Sequence, residues 1–414
     1  MKSHNKFLAS AIAVAIGTLA SSAFAGNMSA TTRYLATENF GPTQAATVAL
    51  TPAAVSYSVS SAGGVTVTAG QRVNLYLRLS GTHTFSAAPA AGDFSTLPVG
   101  AAGALVAPTI TLAADSKTVV VSYAAVAATN LPVNTAIVWT PAAGAVTAVS
   151  AELATAGGNV QITGSLDGNA VNAAAATLPS SQDPVAAPVT IATSAQAITG
   201  VVQSSGAFTA AAAALPATVA IKPETKKIDL GAAIPGATMT PAGGTSNTAT
   251  ALVVNLGSYT FRNNASVVPT TLAGAPYTLP AAGTALAGPV APFGATTVTV
   301  TPDTGKSFPI GATFALFRDA DCSTANSVPS AAVTALTASA PVNLTATNTY
   351  NTGLPSYVCM TVPGTAAGVI TPITPTIGVV LAKSAATDAT NTIAATSGYA
   401  LGYNGSQVDV TNYV

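Results

Sequence analysis

Ionisable side chains are scarce in this chain. Aspartate, glutamate, lysine and arginine supply 6% of its 414 residues, against roughly 25% in ordinary soluble proteins. Basic and acidic groups balance at 13 each, and none falls between Cys322 and Ala382. A surface built this way has almost no electric field, so the basic stripe that nucleic acid or an acidic membrane requires is excluded. Near-zero net charge also removes the repulsion that keeps copies of a protein apart.

Histidine is almost missing as well, with only His4 and His83. A histidine-rich zinc site is excluded, and acid–base chemistry has few groups to recruit. His83, within Gly81-Thr82-His83-Thr84, reads as a solvent-facing residue at a strand end. A Ser-His-Asp site would need it, yet no G-x-S-x-G elbow presents a nucleophile. No residue is nominated as catalytic or cofactor-binding, and no enzyme is expected. With 6% aromatics and Trp139 as the sole tryptophan, the platforms a sugar-binding site uses are few, and the aromatic girdles of an outer-membrane barrel are missing.

What is present begins with the amino terminus. Lys2 and Lys6 precede an apolar run from Phe7 to Ala20 and the small-residue sequence Ala23-Phe24-Ala25. This is the pattern of a secretory signal with an A-x-A site, so residues 1–25 are expected to be cleaved between Ala25 and Gly26. The run is short for a membrane span of about 20 residues, and no transmembrane helix is expected in the mature chain. Loss of Lys2 and Lys6 leaves 13 − 2 = 11 basic against 13 acidic groups. The expected location is extracellular or at the cell surface.

Apolar residues reach 49% and mean hydropathy is +0.51, so the low charge does not signal disorder. The dominant pattern has period two. Gln71 to Ser80 sets Val73, Leu75, Leu77 and Leu79 on one face and Arg72, Asn74, Tyr76 and Arg78 on the other, a half-buried antiparallel strand. Val65 to Thr68, Lys117 to Tyr123, Thr135 to Thr140 and Leu252 to Arg262 are further strands. Val298 to Thr301 before Phe314 to Arg318 faintly repeats the first of these ahead of Arg78. Gly63-Gly64, Gly157-Gly158 and Asp167-Gly168 read as turns. Asn404-Gly405 reads as a type I′ turn pairing Tyr399–Tyr403 with Ser406–Val414. The expected fold is all-β: two or three antiparallel β-sandwich domains, divided as 26–220 and 221–414, with the Ala/Ser/Pro-rich stretch 173–217 ahead of the break.

Cys322 and Cys359 form an even pair in an exported chain and are expected to bridge, stabilising by about 3 to 4 kcal/mol. Without a C-x-x-C spacing, redox catalysis is not expected. Asp303-Thr304-Gly305 matches the aspartic-protease triplet, but after Pro302 the composition is that of a turn. Gly305-Lys306-Ser307 ends like a phosphate loop, yet Val300 stands where glycine is needed. Asp319, Asp321 and Ser323 alternate so as to offer oxygen to calcium, the one cofactor the sequence admits. Thr324 and Ser330 stand where an EF-hand needs Gly and Glu, and a solvated acidic loop is the competing reading.

An A-x-A signal, an Ala/Thr/Val/Gly-rich body with few charges and strands throughout together resemble the surface-layer and related extracellular structural proteins of Gram-negative bacteria. The resemblance implies a self-assembling lattice or coat whose main partner is the protein itself. It also implies attachment to other molecules of the outer surface, often with calcium, which the paucity of acidic residues argues against. Two alternatives stay open: a fibre or pilus-like subunit assembling by strand addition, with Gly26 to Ala46 as the donated piece, and an adhesin or sugar-binding module.

Overall fold

The structure is a computed structural model and describes residues 26–95, 105–170, 183, 185–203, 218–222, 227–228, 252–280, 292–318, 322, 330–346, 355–362, 373–398 and 400–403. These are almost all strand or turn, and the fold is all-β with predominantly antiparallel sheets. No described helix is long and apolar enough to cross a membrane. The chain clusters into two compact units: residues 1–37, 45–195 and 270–275 form the first, and 38–44, 196–269 and 276–414 the second. The main changeover, between Ala195 and Gln196, precedes the break read from composition at 220/221.

The first unit is built on a six-stranded sheet. Its order is Arg33–Ala36, Val189–Ala195, Asn159–Ala170, Arg72–Leu79, Thr118–Ala124 and Thr109–Leu112. Only the first pair is parallel. Three smaller sheets accompany it: Asn27–Ala30, Val55–Ser58 and Ala136–Trp139; Thr47–Leu50, Val146–Val149 and Thr84–Phe85; and Val65–Val67 with Thr129–Leu131. Trp139 is 1% exposed, with the Phe85 ring 5.5 Å and the Phe94 ring 6.5 Å away. Burying these three rings together contributes apolar area and favourable ring–ring contact to the core of this unit.

The second unit pairs two four-stranded antiparallel sheets. One runs Ile198–Gln203, Leu252–Asn263, Ser356–Val362 and Thr313–Phe317; the other runs Val342–Ala346, Phe293–Thr301, Thr376–Lys383 and Asn391–Ser397. Ile393 of the second sheet fills the space beside Gly200 of the first, where a Cβ would fall 2.6 Å from Ile393 Cγ1. A small third sheet holds Lys227–Ile228, Thr218–Lys222 and Ala400–Tyr403.

Four expectations need correction or limitation. Arg72–Leu79 is antiparallel to both neighbours, but it is not half-buried: Asn74 and Tyr76 are 0% and 3% exposed. A central strand covered on both faces can keep polar groups when they bond one another, as Asn74 Nδ2 and Tyr76 OH do at 3.3 Å. Asp167-Gly168 is not a turn but lies inside Asn159–Ala170, beside a register shift between Gly168 and Ala170; glycine within a strand marks a bulge. The segment Gly26 to Ala46 is not left unpaired for donation, because Asn27–Ala30 pairs with Val55–Ser58 and Arg33–Ala36 with Val189–Ala195 of the same chain. Ala400–Tyr403 is a strand, parallel to Thr218–Lys222, while Tyr399 and the turn and partner strand expected over 404–414 lie outside the described residues.

Candidate functional site

Each unit buries a carboxylate among backbone donors, and these two centres hold most of the chemistry among the described residues. Glu38 of the second unit, from the short 3-10 turn Thr37–Asn39, is 3% exposed. Its Oε1 accepts from the amides of Ala197 at 3.1 Å and Ile198 at 2.9 Å, and Oε2 from Ala197 at 3.0 Å. The Asn391 Nδ2 donates to Glu38 Oε1 at 3.0 Å and to the Ile198 carbonyl at 3.1 Å. Facing two acceptors, that nitrogen fixes the orientation of the amide, so Asn391 Oδ1 points the other way and accepts from Lys383 Nζ.

Strand geometry explains why Lys383 reaches this place. Ile377, Val379 and Leu381 are buried at alternate positions, and the period of two puts Lys383 on the same inward face. Its ammonium lies 4.6 Å from the Phe293 ring centroid and 5.4 Å from that of Tyr277. Burial lowers the Lys383 pKa to about 8, against the opposing pull of Glu38 and Asp388. Tyr277 OH donates to Asp388 Oδ2 at 3.2 Å. Burial first, then the Asp388 and Glu38 charges, raise the phenol above its ordinary value. Asp388 is itself raised, chiefly by burial.

In the first unit the centre is Asp183, 0% exposed. Its Oδ2 accepts from Tyr57 OH at 2.8 Å, and its Oδ1 from Ser60 Oγ and the Ser61 amide at 3.0 Å each. Burial and the hydrogen bond to this carboxylate raise the Tyr57 phenol, which stays protonated and donates. Gly26, one side of the expected cleavage site, packs directly on this phenol: a Cβ there would fall 2.1 Å from Tyr57 OH. Ala25 lies outside the described residues.

His83 is not solvent-facing; it is 1% exposed. Its Nδ1 accepts from the Val149 amide at 3.3 Å, which puts the proton on Nε2, 3.2 Å from the Asn159 carbonyl and 3.1 Å from Glu152 Oε2. Hydrogen bonds on both ring nitrogens make burial affordable for an imidazole. Neither nitrogen faces a serine or threonine hydroxyl in these bonds.

Cys322 and Cys359 are joined by a disulfide with a Cα–Cα distance of 6.3 Å across 37 residues of sequence. Replacing both with serine is expected to lower the stability of the second unit by about 3 to 4 kcal/mol through the lost restriction of the unfolded chain. Urea unfolding of the double variant, compared with the parent protein without reductant, checks this; an unchanged midpoint would contradict it.

No family model matches this chain, and no curated protein matches it. Among solved structures, the C-terminal domain of the Streptococcus agalactiae AgI/II polypeptide BspA is 8% identical, covering 90% of this chain and 99% of that one, with a TM-score of 0.22. The C-terminal domain of the Streptococcus pyogenes antigen I/II-family protein AspA is 7% identical, covering 90% and 100%, with a TM-score of 0.21. CfaE, the adhesive subunit of CFA/I fimbria of enterotoxigenic Escherichia coli, is 10% identical, covering 89% and 84%, with a TM-score of 0.20. Likeness at that level carries no argument about function.

The remaining candidates resolve locally. Asp303-Thr304-Gly305 is a turn: the Lys306 amide donates to the Asp303 carbonyl at 2.9 Å, Gly305 has φ +77°, and Asp303 Oδ1 accepts from the Thr374 amide at 2.8 Å. Asp319, Asp321 and Ser323 lie outside the described residues, and among the described residues no three His, Cys, Asp or Glu side chains gather as a metal site. A groove of about 360 Å³ in the second unit is lined by residues such as Phe308, Val333, Thr337 and Asn343, with no ionisable side chain. It offers no acid or base.

Sequence reasoning missed Glu38, Lys383, Asn391 and Asp183. The available signal was isolation: Lys383 ends the longest charge-free interval in the chain, and an ion kept in so neutral a setting is costly unless it has a local task.

Proposed function

We propose that this protein is an exported, non-enzymatic structural subunit of the bacterial surface that assembles with copies of itself into a layer or coat. The observation that carries the reading is the character of the sheet edges. Among the described residues, Thr109–Leu112 ends the six-stranded sheet, and Val342–Ala346 and Asn391–Ser397 end the second sheet of the other unit. None of the three contains a charge or a proline. Soluble proteins ordinarily guard such edges with lysine, proline or bulges, because exposed backbone donors and acceptors pair with another chain. Asn391–Ser397 carries an irregularity of register against Thr376–Lys383, but Thr109–Leu112 and Val342–Ala346 pair without one. Leaving these edges neutral and regular, in a molecule with so little net charge, favours contact between copies.

Placing lysine at exposed edge positions tests this. Thr111, Thr345 and Thr392 all face solvent, so Thr111→Lys, Thr345→Lys and Thr392→Lys together are expected to leave the fold intact, at under about 0.5 kcal/mol each. Assembly of the protein beginning at Gly26 is expected to require at least about tenfold higher concentration, equivalent to about 1.4 kcal/mol per contact. Electron microscopy and sedimentation at neutral pH read the outcome. A parent protein that remains monomeric at high concentration refutes the proposal.

A further inference from the structure

We propose that Lys383 and Asn391 become joined by an intramolecular isopeptide bond, the lysine ε-amine displacing ammonia from the asparagine carboxamide while Glu38 relays the proton. Three independent features of the second unit converge on this reaction. The two side chains are held in contact, Nζ against Oδ1, at the inward ends of adjacent antiparallel strands. The amide orientation is fixed by two acceptors, Glu38 Oε1 and the Ile198 carbonyl, both on its nitrogen side. The Phe293 and Tyr277 rings flank the amine, and bulky aromatic walls keep water from competing at the carbonyl.

The reaction needs a neutral amine, a polarised carbonyl and a proton route to the leaving nitrogen. Burial brings the lysine within reach of its neutral form near physiological pH. The amine then adds to the Asn391 Cγ. Glu38 Oε1, 3.0 Å from Nδ2, takes the proton lost by Nζ and returns it to Nδ2. The Cγ–Nδ2 bond breaks, the Cγ–Nζ bond remains, and ammonia leaves. One amine and one primary amide give one secondary amide and one ammonia, with no redox change and no co-reactant. Glu38 touches a reacting atom and is the catalytic residue; the amides of Ala197 and Ile198 position it.

Such a bond would covalently close the loop 384–390 at the turn between Thr376–Lys383 and Asn391–Ser397. The inference goes beyond the assembly reading and does not depend on it. A monomeric protein could carry the bond, and an assembling one could lack it.

Mass spectrometry of the purified, reduced and denatured full chain decides the matter. The expected mass is one ammonia, about 17 Da, below that of the sequence after any amino-terminal processing is accounted for. Lys383 is the sole lysine or arginine after Arg318, so trypsin normally separates 319–383 from 384–414. With Lys383 acylated, the expected product is a single piece, 319–414, carrying the ammonia loss. Lys383→Arg is expected to restore the full mass. Glu38→Gln, checked for native strand content by circular dichroism, is expected to form the bond at least about a hundredfold more slowly. A parent chain of full mass that is cleaved after Lys383 overturns the proposal. So does an ammonia loss that survives in Lys383→Arg, because it would then arise without the lysine amine.

Discussion

Asp183→Ala is expected to destabilise the first unit by about 3 to 5 kcal/mol, a large fraction of the stability of an ordinary domain. The substitution removes an acceptor for the Tyr57 hydroxyl, the Ser60 hydroxyl and the Ser61 amide. The Tyr57 phenol, 0% exposed, would then be left without the carboxylate that satisfies it, at about 1 to 3 kcal/mol for such a group. Asp183→Asn keeps one oxygen acceptor, so a smaller loss of about 1 to 2 kcal/mol is expected. Because Trp139 is the only tryptophan and lies in the first unit, its fluorescence during urea unfolding reports on that unit alone. A loss below about 1 kcal/mol for the alanine variant would show that the carboxylate's bonds are replaced readily by water.

Trp139→Ala is expected to cost a similar amount, about 3 to 5 kcal/mol, from a different source. The indole is 1% exposed and faces Phe85 and Phe94, so alanine leaves a cavity that a sheet-bound backbone closes only in part. Trp139→Phe separates volume from polarity. The indole Nε1 is buried with no hydrogen-bond partner among the described residues, so phenylalanine loses ring area but also removes an unsatisfied donor. Its expected net loss is about 1 kcal/mol. Thermal unfolding followed by far-ultraviolet circular dichroism compares the three proteins, and an alanine variant as stable as the phenylalanine variant would contradict the packing argument.

Strands were legible wherever alternation was strict. Val65–Val67 and Ala136–Trp139 alternate in burial as period two predicts, because alternation reports directly which side chains face a core, and Thr118–Ala124 and Leu252–Asn263 are strands where strands were expected. What alternation cannot report is whether the other face is covered. Asn74 and Tyr76 occupy nominally polar positions and are buried all the same. The Asp167-Gly168 pair has turn composition, yet tertiary pairing with Arg72–Leu79 draws it into a strand, where the glycine accommodates a bulge instead of a reversal. His83 has the local surroundings of a strand end, and only the approach of Val149, Asn159 and Glu152 makes it an interior residue.

The candidate centres were less legible for a related reason. Glu38, Ile198 and the hairpin that holds Lys383 and Asn391 come from three separate stretches of chain, and no spacing rule links them. The disulfide was readable because cysteines advertise their chemistry by type alone. A lone glutamate does not.

Glu38 is bonded to Asn391 across 353 residues of sequence and to Ile198 across 160. On the ribosome it is therefore made long before most of the groups that receive it. The amides of Ala197 and Ile198 can receive this carboxylate once residue 198 has been made, but its set of partners is complete only after residue 391 has been added. Refolding of the second unit should thus be governed by slow, long-distance pairing, and a chain truncated ahead of Asn391 cannot close around Glu38 as the whole chain does.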